Sequence, residues 1–81
     1  MNKGLLMEEE IKKIMAESFK ILPVEINNET TPMSVESWDS LGHLNMVVAL
    51  EVRFNIDFND DEAVKMITYP MILKIISEKL K

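Results

Sequence analysis

The sequence predicts an all-α fold, a small four-helix bundle with a long loop between its first and second helices. Apolar residues recur at helical spacing in three stretches, 5–20, 40–54 and 68–81. A shorter stretch after residue 59 opens with consecutive acidic residues, which favour the positive end of a helix dipole. Hydrophobic residues make up 47% of the 81 residues, enough for the compact core of a single domain spanning residues 1–81.

The first helix is expected to run from about Leu5 to Lys20. Pro23 limits it, because proline lacks a backbone N–H and disfavours helix in the residue before it. The helix carries an apolar stripe made of Met7, Ile11, Ile14, Met15 and Phe19. We expect this stripe to face the core.

A long loop, residues 21–39, joins the first helix to the second. Loops of more than about 12 residues are uncommon in compact domains unless they have a function. Four apolar residues are expected to hold this loop against the helices: Val24, Ile26, Met33 and Val35. A short helix at about Val24–Asn28 is the alternative for this segment.

The second helix is predicted to begin at Asp39-Ser40 and to run to about Phe54. Asp and Ser are preferred at helix starts because their side-chain oxygens accept hydrogen bonds from free N–H groups. A broad apolar face is predicted from Leu44, Val47, Val48 and Phe54, flanked by Leu41 and Leu50, with Met46, Leu50 and Phe54 assigned to the core. Trp38 is expected to be a partly buried anchor of the loop end, and His43 to be exposed and solvated.

After the second helix, Ile56 and Phe58 alternate with polar residues, which predicts a short extended segment under the core. Asn59 or Asp60 is expected to cap a third helix that ends near Met66.

The last helix is expected to begin after Thr68, which caps it, with Pro70 in its first turn. Its apolar stripe consists of Met71, Ile72, Ile75, Ile76 and Leu80. Four helices are thereby predicted, each with a stop or start signal at its boundary.

Negative charge is concentrated in the middle of the chain. Residues 21–63 contain nine acidic residues and one basic residue, although the net charge of the whole chain is only −5. This distribution disfavours nucleic-acid binding, which depends on neutralising phosphates, and favours a basic protein partner.

Composition also bears on the cellular setting. Cysteine is absent, which excludes disulfides and thiolate metal sites. No apolar run reaches the roughly 20 residues that a membrane span needs, and the N-terminus lacks the pattern of a signal peptide. We therefore expect a cytoplasmic, monomeric protein without membrane insertion.

Two other kinds of site are not predicted. His43 lies three residues after Ser40, but the sequence lacks the nucleophile elbow and the second histidine that a serine hydrolase of the usual kind would offer. Residues 57–61 begin like a calcium loop, yet Glu62 stands where glycine is needed and Thr68 where glutamate is needed. We predict no metal site.

Asp39-Ser40-Leu41 stands at the position of the Asp-Ser-Leu motif of the acyl carrier protein family, which this chain resembles over most of its length. The order of the other elements carries the resemblance as well. One helix and a long loop precede the motif, and the helix after it ends in Phe54-Asn55-Ile56-Asp57-Phe58. An acidic turn and two short helices follow.

The resemblance implies a four-helix bundle of the acyl-carrier type with no catalytic activity of its own. It implies that a phosphopantetheinyl transferase attaches 4′-phosphopantetheine, taken from coenzyme A, to Ser40, and that Asp39 helps to bind the metal ion of coenzyme A. It also implies partner contacts on the second helix, at Leu41, Leu44, Val48 and Glu51. Acyl groups would be carried as thioesters on the arm.

The charge pattern of the second helix favours a specialised pathway. Fatty-acid carriers of this family usually place acidic residues in the first two turns of that helix, whereas residues 41–47 contain none and Arg53 adds a positive charge near its end. We expect acyl-activating and acyl-transferring or condensing enzymes of a specialised acyl or polyketide-type pathway as partners. The alternatives are an aminoacyl or peptidyl carrier on the same serine, and an unmodified helical adaptor that binds through Leu41, Leu44 and Val48.

Overall fold

The structure, a computed structural model, describes residues 3–81, with side chains from Leu6 onward. All regular structure in this range is helical. The elements are α1 (Lys3–Phe19), a 3₁₀ turn (Pro23–Glu25), α2 (Ser40–Phe54), α3 (Asp60–Lys65) and α4 (Tyr69–Lys79). The predicted all-α fold of four helices, with a long loop between the first and second, is confirmed. Over the same residues, no helix combines the length and apolarity needed to cross a membrane.

The core is formed by the facing sides of α1, α2 and α4, together with Met66 at the end of α3. Its fully buried large side chains are Ile11, Met15, Phe19, Met46, Leu50, Met66, Ile72 and Ile76. Burial of such apolar surface is the main driving force for folding. Phe54, which the sequence assigns to the core, is only half-buried and packs at the edge of this cluster.

The first helix ends one residue before its predicted end. Lys20 has a φ of 58°, in the left-handed region, so the helix cannot continue through it. The N–H of Ile21 then donates to the carbonyl of Ala16 over 3.0 Å, which closes the last turn. Toward the N-terminus, the described part of the helix extends to Lys3, beyond the predicted start at about Leu5.

The loop between α1 and α2 is held by fewer apolar contacts than predicted. Ile26 is buried and Val35 is partly buried, but Val24 and Met33 are 84% and 95% exposed, so the prediction that they hold the loop is wrong. Hydrogen bonds also hold the loop in place. The hydroxyl of the buried Thr30 accepts from the N–H of Asn27 (2.9 Å) and donates to the carbonyl of Glu25 (3.1 Å). In place of the alternative short helix at about Val24–Asn28, the structure has a 3₁₀ turn at Pro23–Glu25, which overlaps that range by two residues.

Residues 56–58 lie outside the helices, with Ile56 and Phe58 both half-buried against the core. They lead into the start of α3, where the side chain of Asn59 accepts from the N–H of Glu62 (2.8 Å) and the carboxylate of Glu62 accepts from the N–H of Asn59 (2.9 Å). This reciprocal cap and an ion pair of 2.9 Å with Lys79 hold the pKa of Glu62 below its ordinary value. The ion pair ties α3 to the end of α4.

The last helix begins as predicted after Thr68, whose hydroxyl accepts from the N–H of Met71 over 3.2 Å. Tyr69 is buried at its start and donates a hydrogen bond from its hydroxyl to Glu8 of α1, over 3.1 Å. Burial first, and then the neighbouring Glu8, raise the pKa of this phenol well above its ordinary value of 10.0. The neutral phenol therefore links α4 to α1 throughout the physiological range.

Candidate functional site

Ser40 is the first residue of α2, and its side chain is exposed. The helix starts here because the preceding residue, Asp39, is in an extended conformation and caps it. One carboxylate oxygen of Asp39 accepts from the N–H of Gly42 over 2.8 Å, and its carbonyl accepts from the N–H of His43 over 2.8 Å. The cap thus fixes an accessible hydroxyl at the positive end of the helix dipole.

The end of the loop is pressed against the first turn of α2. The hydroxyl of Ser37 donates to the carbonyl of Phe19 at the end of α1. The carbonyl of Ser37 in turn lies so close to Gly42 that a Cβ on Gly42 would come within 2.5 Å of it. A side chain at position 42 would therefore force the backbone of Ser37 to shift, next to Trp38, Asp39 and Ser40.

His43 connects the loop to α3, contrary to the prediction of a solvated side chain. Its Nδ1 accepts a hydrogen bond from Nε1–H of Trp38 (3.0 Å), so the ring proton lies on Nε2, which donates to the carbonyl of Ala63 (2.8 Å). We call this pair of hydrogen bonds the histidine bridge. Because both ring nitrogens are engaged, neither can accept a proton from Ser40, and the geometry does not form a serine–histidine nucleophile.

Trp38 is also more buried than predicted, at 3% exposure. Its indole stacks on the ring of Phe19, with ring centroids 4.6 Å apart. The indole is also nearly parallel to the ring of His43, with centroids 6.3 Å apart. The sequence signal that could have revealed the histidine bridge is the coincidence of one tryptophan and one histidine five residues apart across a helix start. Tryptophan N–H groups generally find an acceptor when buried.

Ser40 opens onto a crevice of about 480 Å³ on the side of α2 that faces α3. Trp38 and His43 lie along it, and the exposed side chains of Val64 and Ile67 line its far wall. The crevice is an open surface feature next to the serine, with aromatic, apolar and polar groups in its lining.

The exposed side of α2 carries an apolar strip that begins one residue after Ser40. Leu41, Leu44 and Val48 are 67%, 58% and 48% exposed, and we call them the α2 strip. The broad apolar face predicted for α2 is therefore divided, because Leu44 and Val48 are exposed whereas Val47 is buried. The buried side of the helix is formed instead by Gly42, Met46, Val47 and Leu50. Apolar residues surround most of α2, so periodicity alone did not fix its orientation.

The charged residues near the end of α2 are engaged within the protein. The carboxylate of Glu51 accepts from the N–H of Phe58 over 3.0 Å, which secures the segment after the helix. Arg53 forms an ion pair of 3.3 Å with Glu10 of α1. A role for Glu51 in partner contacts stays a prediction, now for a carboxylate that also has a structural bond.

Comparison with known proteins places this geometry in a family. A scan against protein-family models found no match. The acyl carrier protein of Buchnera aphidicola subsp. Baizongia pistaciae is 32% identical over 72 residues, which cover 89% of this chain and 92% of that protein. The solution NMR structure of holo acyl carrier protein from Geobacter metallireducens superposes with a TM-score of 0.79 at 27% identity, covering 90% of this chain and 84% of that one. The chain belongs to the acyl carrier protein family, and its four helices have the acyl-carrier arrangement.

Proposed function

We propose that this chain carries acyl intermediates as thioesters on a 4′-phosphopantetheine arm attached to Ser40. The observation that carries the proposal is the position of Ser40, an exposed hydroxyl on the first residue of a capped helix in a chain of this family. The protein acts as the substrate-bearing partner of enzymes and has no catalytic role itself.

The residues around Ser40 fit a phosphodiester. The oxygen of Ser40 becomes its ester oxygen, and the geometry of an α-helix leaves the N–H groups of Ser40 and Leu41 without intrahelical acceptors at the positive end of the dipole. Asp39 would serve the transferase by helping to bind the metal ion of coenzyme A. When bound, the arm supplies the thiol that this cysteine-free chain lacks.

The α2 strip is the proposed contact surface for the phosphopantetheinyl transferase and for acyl-activating and acyl-transferring or condensing enzymes. Its members follow the spacing i, i+3, i+7, the pattern by which a helix presents apolar anchors to a partner groove. Glu36 and Asp39 are exposed just before the strip. These acids would favour partners with a basic rim, because complementary charge speeds encounter and fixes register.

We expect Ser40→Ala to abolish attachment of the arm, because the mutation removes the oxygen to which the arm is joined. Intact-mass spectrometry after co-expression with a broad-specificity phosphopantetheinyl transferase should show one added arm on the native chain and none on the mutant. Ser34→Ala is the matched control, since Ser34 is another exposed serine but lies in the loop. An arm on Ser40→Ala, or none on the native chain, would refute the proposal.

A specialised acyl or polyketide-type pathway is the proposed setting. The first turn of α2 has no acidic residue, Glu51 is bonded to Phe58, and Arg53 is half-exposed at the end of the helix. The part of the partner surface that α2 itself forms therefore has little of the negative charge on which fatty-acid synthase enzymes of the general pathway would rely, whereas the exposed acids Glu36 and Asp39 lie before the helix.

We expect the arm-bearing protein to support little turnover when it replaces a conventional fatty-acid carrier in a reconstituted elongation cycle. The conventional carrier run in parallel is the positive control, and loading of both proteins is verified by mass. Comparable turnover with the two carriers would refute the specialised pathway and leave the carrier function intact.

A further inference from the structure

Val52, near the end of α2, is the most exposed large apolar side chain of that helix, at 78%. It continues the line of the α2 strip, because Leu44, Val48 and Val52 follow one another at about one helical turn. At about 100° per residue, the exposed large apolar side chains of α2 fall within an arc of about 80°; they are Leu41, Leu44, Val48 and Val52. A single exposed apolar residue needs no explanation, whereas an aligned set is typical of a helix that a partner contacts.

The charged residues on either side of Val52 are engaged within the protein. The carboxylate of Glu51 accepts a hydrogen bond from the N–H of Phe58 over 3.0 Å. Arg53 forms an ion pair of 3.3 Å with Glu10 of α1. Because other groups of the chain already engage both charges, what this end of α2 offers to a partner is the apolar side chain of Val52.

Charge is distributed unevenly along the surface that begins at Ser40. Before the helix, Glu36 and Asp39 are exposed and would attract basic side chains. Within the helix, residues 41–50 include no acidic or basic residue apart from His43, whose two ring nitrogens are both hydrogen-bonded. The surface is therefore acidic at the end near Ser40 and apolar along the helix. A complementary partner would have basic side chains at one end of its groove and apolar side chains at the other.

We infer that Val52 is a further apolar anchor for the phosphopantetheinyl transferase, which meets this end of α2 with an apolar groove rather than with basic side chains. The inference rests on the carrier function proposed above. The transferase must bind first, because no acyl group is carried before the arm is attached. Leu41 and Val52 are about 17 Å apart along the helix axis. A standard interface covers about 800 Å² on each partner, a patch roughly 30 Å across, so one enzyme can cover the whole line.

The test compares Val52→Ser with the native chain as substrates of a broad-specificity phosphopantetheinyl transferase. Serine removes most of the apolar surface and adds no charge. We expect the KM for the carrier to rise about 3–10-fold while kcat stays unchanged, because the lost contact stabilises the bound state and the transition state alike. Loading is followed by intact mass at about 0.05 M and about 0.5 M sodium chloride. The rise should be similar at both, since salt screens charges and not apolar contacts.

Val24→Ser is the matched control, because Val24 is 84% exposed but belongs to the 3₁₀ turn rather than to α2. We expect its KM to equal that of the native chain, and melting temperatures verify that both variants are folded. A native KM for Val52→Ser, or an equal rise for Val24→Ser, would overturn the inference.

Val52→Glu distinguishes an apolar groove from a basic one. Against an apolar groove the carboxylate loses water without gaining a partner, so we expect a KM above that of Val52→Ser at both salt concentrations. Against basic side chains the same carboxylate would lower the KM, most strongly at low salt. A lowered KM would therefore show a basic partner surface and overturn the inference.

The two proposals can fail separately. If intact mass shows no arm on Ser40 of the native chain, the carrier function fails before any KM is measured. If the native chain is loaded and Val52→Ser is loaded with the native KM, the carrier function stands and only the anchor at Val52 fails.

Discussion

An alanine in place of Phe19 is expected to lower the free energy of unfolding by about 3–5 kcal/mol, the usual cost of removing a buried aromatic ring. Phe19 is 1% exposed and stacks on Trp38, so the mutation leaves a cavity directly under the candidate site. Domains of this size have roughly 5–15 kcal/mol of stability in total. Urea titration monitored by circular dichroism would measure the loss, which should be a large part of that total.

Phe54→Ala is the matched control for Phe19→Ala. Phe54 is half-buried at the edge of the core, with the guanidinium of Arg53 5.4 Å from its ring centroid. Less apolar surface returns to water when its ring is removed, so we expect a clearly smaller loss of stability than at Phe19. An equal or larger loss at Phe54 would show that the orientation of α1 and α2 described above is wrong.

Gly42→Ala is expected to slow loading of the arm onto Ser40 by about 10–100-fold, because small displacements of a reacting group carry rate penalties of this order. The added Cβ would lie 2.5 Å from the backbone carbonyl of Ser37, which must move. The hydroxyl of Ser37 is hydrogen-bonded to the carbonyl of Phe19. We therefore expect the displacement to be taken up by the end of the loop, where Asp39 and Ser40 lie.

Gly42→Ala has two opposed effects on the free energy of unfolding. Alanine favours helix over glycine by about 1 kcal/mol, whereas overpacking costs about 1–3 kcal/mol. We expect the clash to outweigh the gain and the melting temperature to fall. Asn45→Ala is the control, since Asn45 is exposed on the same helix and its mutation should leave both stability and loading rate near those of the native chain. Native-like loading and melting of Gly42→Ala would refute the close contact.

Local signals predicted the starts of α2, α3 and α4 well. Asp39, Asn59 and Thr68 cap α2, α3 and α4 with their own side chains, and each bond spans three residues. Interactions of this range depend on neighbouring sequence and can be inferred from it. The motif at Ser40 could be recognised for the same reason.

The interactions that sequence did not predict join distant parts of the chain. His43 meets Ala63 across 20 residues, and its partner cannot be inferred from the helix that carries it. Periodicity alone did not fix the orientation of α2, because Leu44 and Val48 are as apolar as Met46 and Leu50, which were correctly assigned to the core. A helix that is apolar on most sides can pack in several orientations, and its contacts with the rest of the core, above all with α1, decide among them.

The position of Ser40 within α2, rather than in the loop before it, has a consequence for delivery. A group joined to Ser40 pivots about a point that is fixed relative to the α2 strip, because both belong to the same rigid helix. Ser40 and Val48 are eight residues apart, about 12 Å along the helix axis. When an enzyme binds the α2 strip, Ser40 therefore lies at a fixed distance and direction from the enzyme surface. Binding of the strip by itself positions the group that is joined to Ser40.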